Sequence, residues 1–253
     1  MDRRLVEYCI TLAKVDRQDV RFVVLNGSAS EGTDRAHSDY DIALVTKYER
    51  SRNEYWGIFD NRLVALWCMG PASYRAEFYS FEDDTFWWRR AKVRKERLLY
   101  GGAGDFRNFR KFALSQKWTR SRQNRVIIAN YGNAIEYLEK LLNGGSNMVF
   151  YRNCASFSNR FVQLLAGMNR MDVVSGRTMY QQALGARIRP KGLRRHLMLV
   201  SGFDGKRRDR TAALRSAKKL MRWATGYLIE QYGIEELGAD RGLIDVLRSI
   251  HSI

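Results

Sequence analysis

The sequence predicts an α+β chain, with a small mixed β-sheet domain at 1–100 and an all-α helical bundle at 105–253. Three observations carry this. Short apolar runs of strand length, bounded by turn residues, fall before residue 101. From Asp105 onward apolar residues recur at helical spacing only. The charge balance changes at Gly101-Gly102-Ala103-Gly104, the clearest linker: residues 1–104 carry 17 Lys+Arg against 16 Asp+Glu, and residues 105–253 carry 27 against 11.

The elements follow in order. Leu5, Cys9, Leu12 and Ala13 form a helical stripe over Leu5 to Val15. Strands are expected at about 21–26 and 40–46, a polar connection at 47–60, and a third strand over Arg62 to Met69, ended by Gly70-Pro71. Residues 85–99 read as a basic helix or a helix plus strand. Helices are expected at 105–118, 121–142, 150–168, 175–186, 191–201 and 210–232. Asn143-Gly144-Gly145-Ser146 breaks the second of these from the third, and Asp209 can cap the last.

Composition narrows the class. No run approaches the ~18 apolar residues of a membrane span. The amphipathic N-terminus MDRRLVEYCITLAKV carries acids and reads as a helix rather than a signal peptide. Cys9, Cys68 and Cys154 are odd in number and widely spaced, which suits reduced cysteines in a cytoplasmic protein better than a disulfide framework or metal site. The net charge of +17 lies almost wholly after residue 104 and points to an anionic partner: nucleotide phosphates, nucleic acid or an acidic substrate.

The stretch that carries chemistry is 22–45, FVVLNGSASEGTDRAHSDYDIALV. Two apolar runs, Phe22 to Leu25 and Ile42 to Val45, flank a polar loop that opens with Gly27-Ser28 and closes with Asp39-Tyr40-Asp41. Strand alternation points Asp39 and Asp41 the same way. Two close carboxylates repel, and a divalent cation relieves that repulsion. Mg²⁺ typically takes one or two carboxylates plus substrate phosphates. Gly27 admits a phosphate close to the backbone, and the Ser28 hydroxyl and local N–H groups can bind its oxygens.

Gly-Ser, a loop of about ten residues, then Asp-x-Asp on the next strand resembles the signature of the DNA polymerase β-like nucleotidyltransferase superfamily; Gly27, Ser28, Asp39 and Asp41 fill it. The helical part, with AIEYLEKLLN at 134–143 and LLAGMNRMDVVSGRTMYQQALGARIRPKGLRRHLMLVSG at 164–202, resembles the C-terminal bundle of the kanamycin (aminoglycoside 4'-) nucleotidyltransferase family. Element order and loop lengths agree across nearly the whole chain, including the LLYGGAG junction. The resemblance implies transfer of a nucleoside monophosphate from ATP or another NTP, with Mg²⁺, to a hydroxyl of a small-molecule acceptor, in a homodimer whose sites are completed by the neighbour. It implies Asp39 and Asp41 as metal ligands and Gly27 and Ser28 as phosphate binders. In Glu136-Tyr137-Leu138-Glu139-Lys140 it implies Glu136 as general base and Lys140 as a nucleotide contact; without the resemblance this is an ordinary i,i+4 surface pair.

The chain departs from the pattern in places. Many superfamily members carry a third acid inside the third strand, where Leu63-Val64-Ala65-Leu66-Trp67 offers Ala65 as the best-matching position. That puts a second metal in question. Glu31 stands where the kanamycin type has a basic residue. A bundle of net +16 suits a polycationic antibiotic poorly, so the reaction class carries over and the antibiotic does not. The alternative is a catalytically weak relative that binds nucleotide or RNA through its basic helices. His37, beside the Asp pair, reads as a solvated loop residue. His196 and His251 lack partners at metal-ligand spacing. Trp87-Trp88-Arg89-Arg90 reads as packing more than as a base-stacking platform.

Overall fold

Strand-length runs in the first part of the chain become a five-stranded mixed sheet of order β3-β4-β2-β1-β5. Its strands are β1 (Val20–Asn26), β2 (Tyr40–Thr46), β3 (Asn53–Phe59), β4 (Arg62–Met69) and β5 (Arg97–Gly101). The computed structural model describes residues 2–30, 32, 38–79, 86–173, 176–202 and 209–236; Glu31, His37 and His251 lie outside them. The α+β class holds. β2 and β4 run parallel, and β1–β2, β1–β5 and β3–β4 are antiparallel.

Alternation sorts the strand residues between two faces. On one, Val23, Leu25, Ile42, Leu44, Val64, Leu66 and Cys68 pack under helix α1 (Asp2–Ala13), which contributes Leu5, Val6, Cys9, Ile10 and Ala13. A Cβ at Gly57 would strike Tyr8 and Leu12, so the glycine lets α1 lie close on β3. On the other, Phe22 meets Tyr74 edge-on at 5.3 Å and Phe109 at 6.1 Å. Tyr74 belongs to α3 (Pro71–Tyr79) and Phe109 to α5 (Ala103–Ser115). Arg21 on β1 also pairs with Asp105 on α5 at 2.7 Å.

Two elements depart from the sequence reading. The polar connection at 47–60 contains β3, an edge strand whose outward positions are exposed. Its signal was Asp60-Asn61, both at positive φ (47° and 61°), the two-residue turn that joins β3 to β4. Pro71 does more than end β4: it opens α3, whose first turn is capped by the Glu49 carboxylate accepting from the Ala72 N–H. The 85–99 segment resolves into α4 (Phe86–Lys95) and β5.

The chain divides into two compact units, residues 1–117 and 118–253, so α5 packs with the sheet unit. The second unit has helices and no strand among its described residues. It comprises α6 (Arg120–Leu142), α7 (Asn147–Met168), α8 (Gly176–Gly185), α9 (Leu193–Ser201) and α10 (Arg210–Glu236). Side-chain caps start three of these helices. Thr119 Oγ1 accepts from Arg122 N–H, Ser146 Oγ from Val149 N–H, and Asp209 Oδ1 from Thr211 N–H. A buried bond of 2.6 Å between Tyr131 and Thr225 ties α6 to α10. All three cysteines are buried and free, and burial pushes the Cys9 thiol up to about 12. Among the described residues no helix is long and apolar enough to cross a membrane.

Candidate active site

β1 ends at Asn26, and the chain turns at Gly27, whose φ of +69° belongs to the left-handed region. One short helical turn follows, α2 (Gly27–Ser30), closed by the Ser30 hydroxyl donating to the Gly27 carbonyl at 2.7 Å. The register then sets what Gly27 faces. Asn26 pairs across the antiparallel ladder with Asp41, so the carboxylate of Asp41 stands against the glycine. A Cβ there would lie 3.3 Å from the Asp41 Cγ and closer still to Oδ2.

Asp39 lies just before β2 and is exposed; Asp41 is the second residue of the strand and half-buried. Burial raises the Asp41 carboxyl above the ordinary range, and the charge of Asp39 raises it further, so the two carboxylates act on each other. The Lys92 ammonium opposes the shift. The approach to β2 is clamped by Arg62 at the start of β4. Its Nε donates to the Ser38 carbonyl at 2.7 Å and its Nη1 to the Tyr40 hydroxyl at 3.0 Å, with the guanidinium 4.0 Å over the Tyr40 ring.

One row crosses the sheet at this level. Asn26 pairs with Asp41, Asp41 with Ala65 in parallel register, and Ala65 with Trp56 on the edge strand. Ala65 is therefore the strand neighbour of Asp41, and no third acid stands there. Among the described residues no group of three or more His, Cys, Asp or Glu could hold a metal ion. The donor set is a pair of carboxylates, which suits a hard divalent cation whose other ligands come from phosphate and water. Asn26 is 1% exposed, and neither its amide nitrogen nor its oxygen has a partner. A buried carboxamide of this kind calls for a polar partner, whether a water, an ion or a ligand group, beside the carboxylate pair and the glycine turn.

Asn26 and Lys92 are the residues that sequence reasoning missed. Asn26 read as the polar end of an apolar strand. Lys92 on α4 has its Nζ 4.8 Å from the Trp67 ring centre and 4.9 Å from that of Trp88. The i,i+4 spacing of Trp88 and Lys92 was the available signal, but only the fold brings Trp67 and Asp41 to it. Trp87 is buried, as a packing residue is, while Trp88 is partly exposed.

Gly27, Ser28, Asp39 and Asp41 thus lie together in the sheet unit. Glu136 and Lys140 lie together in the helical unit, as an exposed ion pair one turn apart on α6. The Glu136 carboxylate holds the Lys140 ammonium above its ordinary range. Lys140 also borders a cavity of about 500 Å³ with Tyr137, Asn143, Arg152 and Asn153.

No family model matches the chain, and no curated protein matches it. Among solved structures it is similar to a nucleotidyltransferase-like protein from Exiguobacterium sibiricum 255-15. The identity is 9% and the TM-score 0.47, over 98% of this chain and 86% of that one.

Proposed function

We propose that the chain is a metal-dependent nucleotidyltransferase that moves a nucleoside monophosphate from an NTP to a hydroxyl of a small-molecule acceptor. The observation that carries the reading is the carboxylate of Asp41, set against the Gly27 turn and repelled by Asp39. Asp39 and Asp41 would hold Mg²⁺, which when bound offsets the charge that develops on the triphosphate. The N–H groups of the turn and the Ser28 hydroxyl bind phosphate oxygens. Lys92 adds a cation on the same face, and Lys140 contacts the nucleotide. Glu136 takes the proton of the acceptor hydroxyl as its oxygen bonds to the α-phosphorus and the bond to pyrophosphate breaks. The active form on this reading is a cytoplasmic homodimer.

Ala65, in register with Asp41, favours a second reading: a catalytically weak relative that binds nucleotide or RNA through its basic helices. One experiment separates the two. Pyrophosphate release is measured with Mg²⁺, each NTP and a panel of hydroxyl acceptors, for wild type and Asp39→Asn. Release that the substitution abolishes supports the enzyme. Absence of release with every acceptor, together with RNA binding that persists at moderate salt, supports the binding protein.

A further inference from the structure

The helical unit holds a second cavity, of about 700 Å³, at the start of α6 and the end of α7. That is the size of a site for a small organic ligand. Its described wall includes Arg120, Arg170, Arg187, Gln123, Tyr227 and Tyr232, and none of its described residues is acidic. It includes none of Gly27, Ser28, Asp39, Asp41, Glu136 or Lys140.

Two local rules are broken at this cavity. Arg170 closes the C-terminus of α7 with φ +52°, its N–H bonded to the Gly167 carbonyl at 3.1 Å, while Met171 N–H reaches the Ala166 carbonyl at 2.9 Å. Glycine is the usual residue there, because a side chain is strained in the left-handed conformation. In addition, α6 opens with Arg120 and Arg122 and has no acid in its first turn, although cations are disfavoured at a helix N-terminus.

The Arg170 side chain is also held in place. Its Nε donates to Gln123 Oε1 at 3.0 Å. Gln123 is 4% exposed, and its Nε2 donates to the Gly167 and Met168 carbonyls, both at 3.2 Å, which fixes the amide with its oxygen toward Arg170. The Nε edge of the guanidinium is thereby occupied and its orientation set. Arg120 lies 4.0 Å over the Tyr232 ring, which holds a second guanidinium against an aromatic wall.

We infer that this cavity binds a phosphorylated small molecule. Planar guanidinium groups match phosphate oxygens in paired hydrogen bonds, and a dianion is attracted both by these side chains and by the positive end of α6. The tyrosines and glutamines give the rest of the ligand an aromatic and hydrogen-bonding surface.

The test uses the full chain in EDTA, with phenyl phosphate, phenol and inorganic phosphate as calorimetric probes. Four proteins are compared: wild type, Arg170→Gly, Arg187→Gln, and Lys191→Gln/Arg194→Gln, the last two positions being exposed residues outside the cavity wall. Phenyl phosphate binds wild type, phenol does not, and each pocket variant loses about tenfold in affinity, as expected for removal of a charge-assisted contact. The outside pair stays within about twofold. In Arg170→Gly the relief of the left-handed backbone offsets the lost bond to Gln123, so the variant melts close to wild type. Equal losses in the pocket and outside variants would mean diffuse charge and overturn the site. Absence of binding to wild type would do the same. A melt of Arg170→Gly well below wild type would make Arg170 a structural residue and overturn its role. Single-stranded RNA that displaces phenyl phosphate and loses affinity in the pocket variants would replace the small-molecule reading with a nucleic-acid contact.

Discussion

Gly27 and Asp41 share one space: the carboxylate of Asp41 occupies the position that a side chain at residue 27 would need. The contact follows from the β1–β2 register, and it ties the Gly27 turn to the carboxylate pair. Gly27→Ala meets two penalties, a left-handed backbone and a collision with Asp41. The variant is expected to lose about 1–3 kcal/mol of stability and most of its affinity for Mg·ATP, read by thermal melting and calorimetry. An alanine variant that melts and binds like wild type would refute the arrangement.

Asp41 also predicts a trade between stability and binding. A carboxyl whose folded pKa is raised above its unfolded value destabilises the fold when ionised. That penalty is absent at low pH, grows as pH rises from the ordinary carboxylate range through the raised value, and is constant above it. Asp41→Asn in EDTA should therefore melt above wild type at neutral pH, and the gap should close on acidification. The same substitution should abolish Mg²⁺-dependent nucleotide binding. A neutral-pH melt below wild type contradicts the first half.

Arg62 positions the approach to β2 through the Ser38 carbonyl and the Tyr40 hydroxyl. Removing it by Arg62→Ala should cost about 1–3 kcal/mol, speed amide exchange at 38–41, and weaken Mg·ATP binding through Asp39 without touching ligand. Arg62→Lys cannot reproduce both donations and should rescue little. Full rescue by lysine would show that charge alone matters.

In the helical unit, the Tyr131–Thr225 bond is buried at both ends. Tyr131→Phe leaves the threonine hydroxyl without this partner and should cost about 1–3 kcal/mol. Tyr131→Phe/Thr225→Val should recover part of the loss. Denaturant melts of the four species in this cycle measure the coupling, and strict additivity would mean that the bond contributes nothing.

Glu136 is half exposed on α6, so its role can be tested without harm to the fold. Glu136→Gln should melt as wild type does and slow nucleotidyl transfer by about 10²–10⁴-fold. Turnover that is unchanged removes Glu136 from the chemistry.

The sequence by itself determined the α+β order, the boundaries of β4, and the helices of the second unit. Each rests on local rules: hydrophobic period, caps such as Asp209, and turn residues. It also placed Gly27, Ser28, Asp39 and Asp41 in one strand–turn–strand unit, which keeps its members close along the chain. Edge strand β3 escaped because an edge has one exposed side and its outward residues break the apolar pattern. What only the tertiary structure decided comes from contacts between distant segments. The parallel β2–β4 register puts Ala65 beside Asp41, the β1–β2 register leaves Asn26 buried without a partner, and the packing of α4 brings Lys92 within electrostatic reach of Asp41. The first two depend on which strands are neighbours and in what register, and a one-residue shift in register would turn a different set of side chains to this face; the third depends on how a helix packs on that face.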